Sequence, residues 1–390
     1  MFYPGGAFSY QSALFWATRS HSDVDTPLEY EQLIQACKRG AVIKADDEAA
    51  GNIPFYNNWV QHTLFDSYWQ KADGQSRAER LKMPILMMAG WYDPYLNSQV
   101  QDFEDLSIQG DKQVAAASKL IIGPWAHAET VKMPDGYVDE NYRLASIAPS
   151  MDWYDSWLMG NSDRKTPRVK LFVMGINKWR YENEFPLKRT KYVSFYLSDS
   201  PSAGYLRTNV PRNNSAKSYS FNPAEPIPSL GGSFLGANAG PKLQNEIEKR
   251  KDVLIYSSQK LERDLEVTGK IKLILYVSSN AKNTDFIAKL IDVHPRGEAY
   301  NISEGIIRRN YPGRDQIEKI EIELNPTSNV FLKGHQIRLE LMSSNFPRYS
   351  LNYNTGGRNY DEVKGIVAEQ KLHTGKPYLS ELVLPVIPSK

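Results

Sequence analysis

The chain has 390 residues, enough for two or three domains, and 47 Lys and Arg against 45 Asp and Glu leave a net charge of +2. That balance excludes a dedicated nucleic-acid binder and a polybasic membrane-surface protein, and 41% hydrophobic with 24% charged residues excludes bulk disorder. No apolar run approaches the ~18 residues of a membrane-spanning helix, and the single cysteine, Cys37, allows no internal disulfide and leaves the compartment open.

The opening, Met1 to Gly6, has no charged segment followed by an apolar one, and the first basic residue is Arg19, so no secretory signal is visible. Residues 1–74 read as helices with aromatic faces. Thr26-Pro27-Leu28-Glu29 has the form of a capping box with proline at the first helical position, and Tyr30, Leu33, Ile34 and Cys37 follow at helical spacing until Gly40. Trp59, Leu64, Phe65, Tyr68, Trp69 and Ala72 mark a second helical stretch before Gly74. Such helices form either a small bundle of their own or a cap over a pocket.

Residues 75–185 alternate strand and helix. Pro84 to Ala89 and Lys119 to Gly123 are short apolar runs of the kind buried on both faces of a sheet; Leu96, Val100, Phe103 and Leu106 give one helix face between them. Asp152 to Leu158 is helical, with Trp153 and Trp157 four apart, and Leu171 to Met174 is a further apolar run. This order predicts a parallel α/β sheet. From about Lys191 the period changes to two: Ile271, Leu273, Leu275 and Val277, then Ile320, Ile322 and Leu324, then Ile337, Leu339 and Leu341. Period-two strands broken by Gly, Pro and Asn predict an antiparallel sandwich. Pro223 to Pro241 reads as a long loop interrupted by Leu230, Phe234 and Leu235. The predicted class is therefore α/β followed by all-β.

Two loops concentrate the chemistry. Gly90-Trp91-Tyr92-Asp93 follows the first apolar run, and Gly123-Pro124-Trp125-Ala126-His127 follows the second. Functional groups of open α/β sheets gather at the carboxyl ends of strands. An Asp there orients an imidazole, fixes its tautomer and stabilises its protonated form. Asp93 alone reads equally as the cap of the helix near Leu96, and His127 alone as a ring packed on Trp125. In an α/β-hydrolase the order is nucleophile, acid, His, with the nucleophile in a G-x-S-x-G elbow. Residues 1–92 contain no such elbow; Gly232-Ser233-Phe234-Leu235-Gly236 lies downstream and has the wrong spacing, Ser9 and Ser12 sit in no strand–helix turn, and Cys37 reads as core. The six histidines, at 21, 62, 127, 294, 335 and 373, show no H-x-x-x-H or Cys/His spacing, so no structural or catalytic zinc is expected. No phosphate loop and no G-x-G-x-x-G fingerprint is present.

The two loops resemble those of the cocaine esterase and α-amino-acid ester hydrolase family, whose wider relatives include glutaryl acylases and X-Pro dipeptidyl peptidases. The likeness continues, in order, through Leu171 to Arg180 (LFVMGINKWR), Pro226 to Gly232 (PIPSLGG), Thr284 to Leu290 (TDFIAKL), Thr327 to Leu332 (TSNVFL) and Ser343 to Pro347 (SSNFP). It implies a partial α/β-hydrolase core with a helical cap, followed by a C-terminal jelly-roll β-sandwich: residues 1–74 the cap, 75–185 the C-terminal part of the core, 186–390 the jelly roll.

By the same resemblance Asp93 is the acid and His127 the base of a Ser-His-Asp triad. The family's serine and its oxyanion-hole tyrosine precede the cap and have no counterpart here. Roughly a hundred or more residues are expected ahead of Met1, on a longer product or on an N-terminal fragment or second chain that supplies the serine, and the chain alone is expected to be inactive. The family's acyl pocket corresponds to Trp16, Tyr95, Phe234 and Leu235, each of which reads equally as core packing. The amino-acid-ester branch has acidic residues two and three past its aspartate; here stand Tyr95 and Leu96. The expected partner is therefore a small-molecule carboxylic ester or amide without an α-amino group, with no metal or organic cofactor, no nucleic acid and no membrane. Two other readings stay open: a non-catalytic β-sandwich binding protein, and an X-Pro dipeptidyl peptidase.

Overall fold

The computed structural model describes residues 2–21, 28–73, 75–127, 130–139, 142–160, 166–201, 203–311 and 316–388. Five short helices lead: α1 (Tyr10–Ser20), α2 (Tyr30–Arg39), α3 (Ala45–Ala49), α4 (Pro54–Gln61) and α5 (Ser67–Gln70). They close around Phe8, Tyr10, Leu14, Leu33, Cys37, Tyr56 and Val60. The capping box of α2 is one residue set later than the sequence suggests: Glu29 is the N-cap and its N–H donates to the Gln32 side chain at 3.0 Å, while Thr26 and Pro27 lie outside the described residues. The second helical stretch is broken. Asp66 accepts from the Tyr68 N–H and starts α5 afresh, which leaves Leu64 and Phe65 exposed in the bend before it.

The α/β part is a four-stranded sheet of β1 (Leu86–Tyr92), β2 (Lys119–Ala126), β3 (Val169–Val173) and β4 (Lys178–Glu182), in that spatial order. The first three strands are parallel and β4 returns antiparallel on β3, a hairpin the apolar run did not reveal. Its turn uses Gly175 and Asn177 at positive φ. Helices α6 (Leu96–Gln109) and α7 (Lys112–Ala117) cross from β1 to β2, and α6 buries Leu96, Val100, Phe103 and Leu106 as its period requires. α8 (Tyr142–Leu158) precedes β3. Among the described residues no strand pairs with the outer edge of β1.

The remaining strands form one eleven-stranded sheet that folds into a sandwich: β5 (Lys191–Asp199), β6 (Gly204–Arg207), β7 (Ser215–Phe221), β8 (Leu254–Ser257), β9 (Leu265–Ser279), β10 (Asn283–Val293), β11 (Ala299–Asn310), β12 (Glu318–Phe331), β13 (Gln336–Met342), β14 (Ala368–Thr374) and β15 (Glu381–Ile387), with a single helical turn, α9 (Asn245–Glu248), ahead of β8. Register explains the alternation seen in the sequence. Ile320, Ile322 and Leu324 of β12 lie opposite Leu275, Leu273 and Ile271 of β9, and all six are buried.

The segments read as family motifs meet in pairs. The β3–β4 turn docks on β12 through Met174 N–H to Ser328 O and Val330 N–H to Met174 O, both 2.9 Å, and a Cβ on Gly175 would stand 2.2 Å from Val330 O. Ile227 to Ser229 runs beside Ser344 to Phe346, joined by Ser229 N–H to Phe346 O and Phe346 N–H to Ile227 O at 2.8 Å.

The helical cap rests on the sandwich. Phe346 and Tyr360 complete its core, and a Cβ on Gly5, at φ +54, would meet Ile306 O of β11 at 1.9 Å. Beneath it Arg308 binds Asp285 through Nε–Oδ1 and Nη2–Oδ2, each 2.8 Å, and donates to the Tyr360 hydroxyl at 3.1 Å. Asp285→Ala strands the buried guanidinium and is expected to cost about 3–5 kcal/mol in urea unfolding. Breaking the exposed Lys272–Glu321 pair is expected to cost under about 1 kcal/mol.

Candidate active site

β1 and β2 run parallel with Gly90 opposite Gly123, and the register slips between Gly90 and Tyr92. Both glycines answer to Trp125. A Cβ on Gly90 would stand 2.0 Å from the Trp125 carbonyl oxygen, and one on Gly123 would stand 2.5 Å from its ring. Only hydrogen at both positions lets the strand ends approach this closely. The indole of Trp91 is buried and donates to Phe172 O of β3 at 2.7 Å, which fixes the end of β1 from the other side.

Asp93 then leaves the sheet in a tight turn, its N–H donating to Gly90 O at 3.1 Å. Its Oδ1 accepts the Tyr95 N–H at 2.7 Å, and its Oδ2 lies 3.0 Å from His127 Nδ1. A carboxylate can only accept, so Nδ1 carries the hydrogen and Nε2 presents a lone pair. The Asp93 side chain is 8% exposed and that of His127 49%. Among the described residues nothing bonds Nε2. The Tyr95 ring packs on the imidazole at 4.8 Å and 59°, where the sequence offered Trp125 as the packing partner; Trp125 instead packs on Trp179. The hydrogen bond to Asp93 outweighs desolvation and holds the His127 pKa above its ordinary value. The N-cap of α6 is Tyr95, with no side-chain cap bond, so Asp93 does not cap the helix as the sequence allowed; its bond to Tyr95 N–H closes the turn just ahead of it.

The other residues singled out in the sequence are less concentrated. Phe234 and Leu235 are buried in the loop ahead of β8, and Leu235 O accepts from Gln11 Nε2 of α1 at 2.8 Å. Trp16 is 44% exposed and its ring contacts are Phe55 and Trp59 of the cap; it is the preceding residue, Phe15, that reaches the loop beside Gly236. Ser233 is buried, with its hydroxyl accepting from Asn325 Nδ2 at 3.0 Å, in a loop with no strand–turn–helix geometry. Tyr95 alone of the four pocket candidates touches the Asp93–His127 pair.

Residues that spacing could not reveal hold the loop. Glu304 accepts from Ser233 N–H, Asn345 Nδ2 and Arg348 Nε, and a Cβ on Gly232 would stand 2.8 Å from its carboxylate. A polar thread runs from the start of α6 to the same loop: Asn97 Nδ2 donates to Asn325 Oδ1 at 2.8 Å, and Asn325 donates to Ser233. Tyr92 adds a bond from its hydroxyl to Asn301 O at 3.2 Å.

Comparison with known proteins gives this arrangement a family. Residues 1–129 match the X-Pro dipeptidyl-peptidase (S15 family) model, and residues 161–383 match the X-Pro dipeptidyl-peptidase C-terminal non-catalytic domain. Cocaine esterase of Rhodococcus sp. (strain MB1 Bresler) is 34% identical over 430 aligned positions, covering 98% of this chain and 73% of the esterase. A crystal structure of an aminopeptidase from a Thaumarchaeota archaeon superposes with a TM-score of 0.85 at 21% identity, over 98% of this chain and 69% of that one. An α-amino acid ester hydrolase superposes with a TM-score of 0.81 at 20% identity, again over 98% and 69%. At those identities the two structures speak for the fold: an α/β-hydrolase-like part followed by a β-sandwich. The fold, the two family models and the identity to cocaine esterase together assign this chain to the S15 and cocaine esterase family of serine hydrolases.

Proposed function

We propose that Asp93 and His127 are the acid and base of a Ser-His-Asp triad that cleaves carboxylic esters or amides, and that the serine comes from a polypeptide segment outside these 390 residues. The observation that carries the reading is the 3.0 Å contact between His127 Nδ1 and Asp93 Oδ2 at adjacent strand ends, with the imidazole half exposed. Nε2 takes the proton of the serine hydroxyl as it attacks the acyl carbon and then returns it to the leaving oxygen or nitrogen. Asp93 keeps the imidazole in the required tautomer and stabilises the cation between the two transfers. The segment that brings the serine has a ready docking edge. Among the described residues β1 is unpaired on its outer side, and across the sheet a groove of about 550 Å³ beside α8 is lined by Ile121, Trp153, Trp157, Lys170 and Tyr181. On α8 the side chains of Ile147, Met151, Tyr154 and Leu158 are exposed.

Tyr95, standing on the imidazole, forms one wall of the proposed acyl site. By the resemblance Phe234, Leu235 and Trp16 belong to the same acyl site, although Trp16 packs on Phe55 and Trp59 and Leu235 is bonded to Gln11. With no acidic residue at positions 95 and 96, nothing there meets an α-ammonium group, so the proposed substrate has an apolar or aryl acyl part.

Three outcomes test this reading. By NMR titration of the chain, His127 is expected to titrate above the ordinary value of about 6.5, and Asp93→Asn is expected to bring it down. The same linkage gives a sign for stability: the pair's contribution to the protonated form is complete below the unfolded-state pKa and fades as pH rises through the folded one. Fused to a hydrolase segment carrying a G-x-S-x-G elbow, the chain is expected to confer fluorophosphonate labelling and ester hydrolysis, and His127→Ala is expected to slow hydrolysis by about a hundred- to ten-thousand-fold. An unchanged rate in that variant refutes the role of His127. With the same fusion, a phenyl-acyl ester is expected to be hydrolysed faster than its α-amino analogue; the reverse order refutes the acyl-site assignment.

A further inference from the structure

Three side chains at one end of the sandwich form a cluster for which the triad has no use. β10 and β13 pair antiparallel with Asp292 opposite Ile337 and Val293 opposite Gln336. One further step of that register sets His294 opposite His335. Asp292 and His294, two residues apart, project to one side of their strand line, and His335 projects to the same layer as Ile337 and Leu339. The two imidazoles lie 4.5 Å apart at 41°, and His335 Nδ1 is 2.8 Å from Asp292 Oδ1. One ligand atom from each residue falls within 4.8 Å of the other two.

From this geometry we infer that Asp292, His294 and His335 bind one divalent transition-metal ion, with Zn²⁺ the best match to two imidazoles and a carboxylate. Asp292 and His335 are buried, so their orientations are already fixed. His294 is half-buried at the start of the β10–β11 turn, its N–H donating to Glu298 O, and leaves the fourth position open to water. Asp292, Glu298 and Asp135 place negative charge around it.

Metal–ligand bonds of about 2.0–2.2 Å in a tetrahedral arrangement separate ligand atoms by roughly 3.4 Å. The Asp292–His335 hydrogen bond opens slightly and His294 closes on it by on the order of one ångström. The ion takes the place of the hydrogen between His335 Nδ1 and Asp292, and that hydrogen passes to Nε2 of the same ring as the neutral imidazole changes tautomer. Bound there, the ion clips the β10–β11 turn to the start of β13. Asp292 also acts electrostatically on the hydroxyl of Tyr92, the neighbour of Asp93, so the clip borders the strand end that carries the acid. Sequence spacing gave no reason to expect a metal, because His335 lies 43 residues from Asp292 and only strand register joins them.

Equilibrium dialysis of the purified chain against Zn²⁺ is expected to leave one equivalent bound, and Co²⁺ in its place is expected to give a visible absorption band that Zn²⁺ bleaches. His294→Ala, at a half-buried turn position, and Asp292→Asn are each expected to weaken Zn²⁺ binding by at least about tenfold with the far-ultraviolet circular dichroism unchanged. If Asp292→Asn loses its fold, His294→Ala carries the test alone. No retained equivalent in the wild type, or equal retention by the folded variants, overturns the assignment; the latter result moves the ion to another pair such as His62 and Asp66, 2.6 Å apart.

Discussion

The parallel contact between two strands is the constraint on which the site depends. Leu86–Tyr92 and Lys119–Ala126 lie side by side with glycine facing glycine, and the Trp125 carbonyl occupies the space a Cβ at position 90 would need. Their loops then emerge at the same rim, and a carboxylate and an imidazole 34 residues apart in the chain stand 3.0 Å from one another. Helix α6 begins immediately after the acid and packs four apolar residues under the sheet. The turn that aims Asp93 is thereby held from both ends.

The sandwich shares an apolar core with this rim and adds polar contacts to it. β10 is buried along nearly its whole length, and one of its faces carries Asp285 and Lys289. That face lies under the N-terminal segment and the long loop rather than in water. Arg308 there reaches Tyr360, a sandwich residue that packs into the core of the cap, Lys289 Nζ donates to Gln244, and Glu304 of β11 organises the loop that holds Phe234. Buried ionic and amide groups of this kind contribute little net stability and define one geometry among several, because each misplacement leaves a polar atom unpaired. Their abundance fits a surface whose task is to seat other parts of the chain.

How legible all this is in the sequence follows from the range of the interactions concerned. The buried strands, the face of α6 and the alternating strands of the sandwich are local periodicities, and Leu273 or Ile322 could be assigned from their immediate neighbours. Asp93 and His127 were visible because each directly follows a strand, a position with a meaning in this class of fold. The β3–β4 hairpin was hidden by Lys178 to Glu182, a strand too polar to stand out. The break at Asp66 was hidden because a side-chain cap competes with helix continuation on equal terms. Trp16 and Phe15 are adjacent, and only the packing of α1 decides which of them meets the loop. The Glu304 hub and the His294–His335 pair arise from strand register, which no spacing rule encodes.

Two different supports carry the two sides of the cleft. The helical cap shares its core with Phe346 and Tyr360 of the sandwich, whereas Asp93 and His127 belong to the four-stranded sheet. The sheet meets the sandwich along a seam, a continuous apolar core joined by polar contacts: Tyr92 on Asn301, Asn97 on Asn325, Lys270 on Glu104, Arg180 on Glu266, and the Gly175 turn on Val330. Substitutions along that seam give natural variation a means of resizing the entrance while the proton-transfer machinery stays untouched.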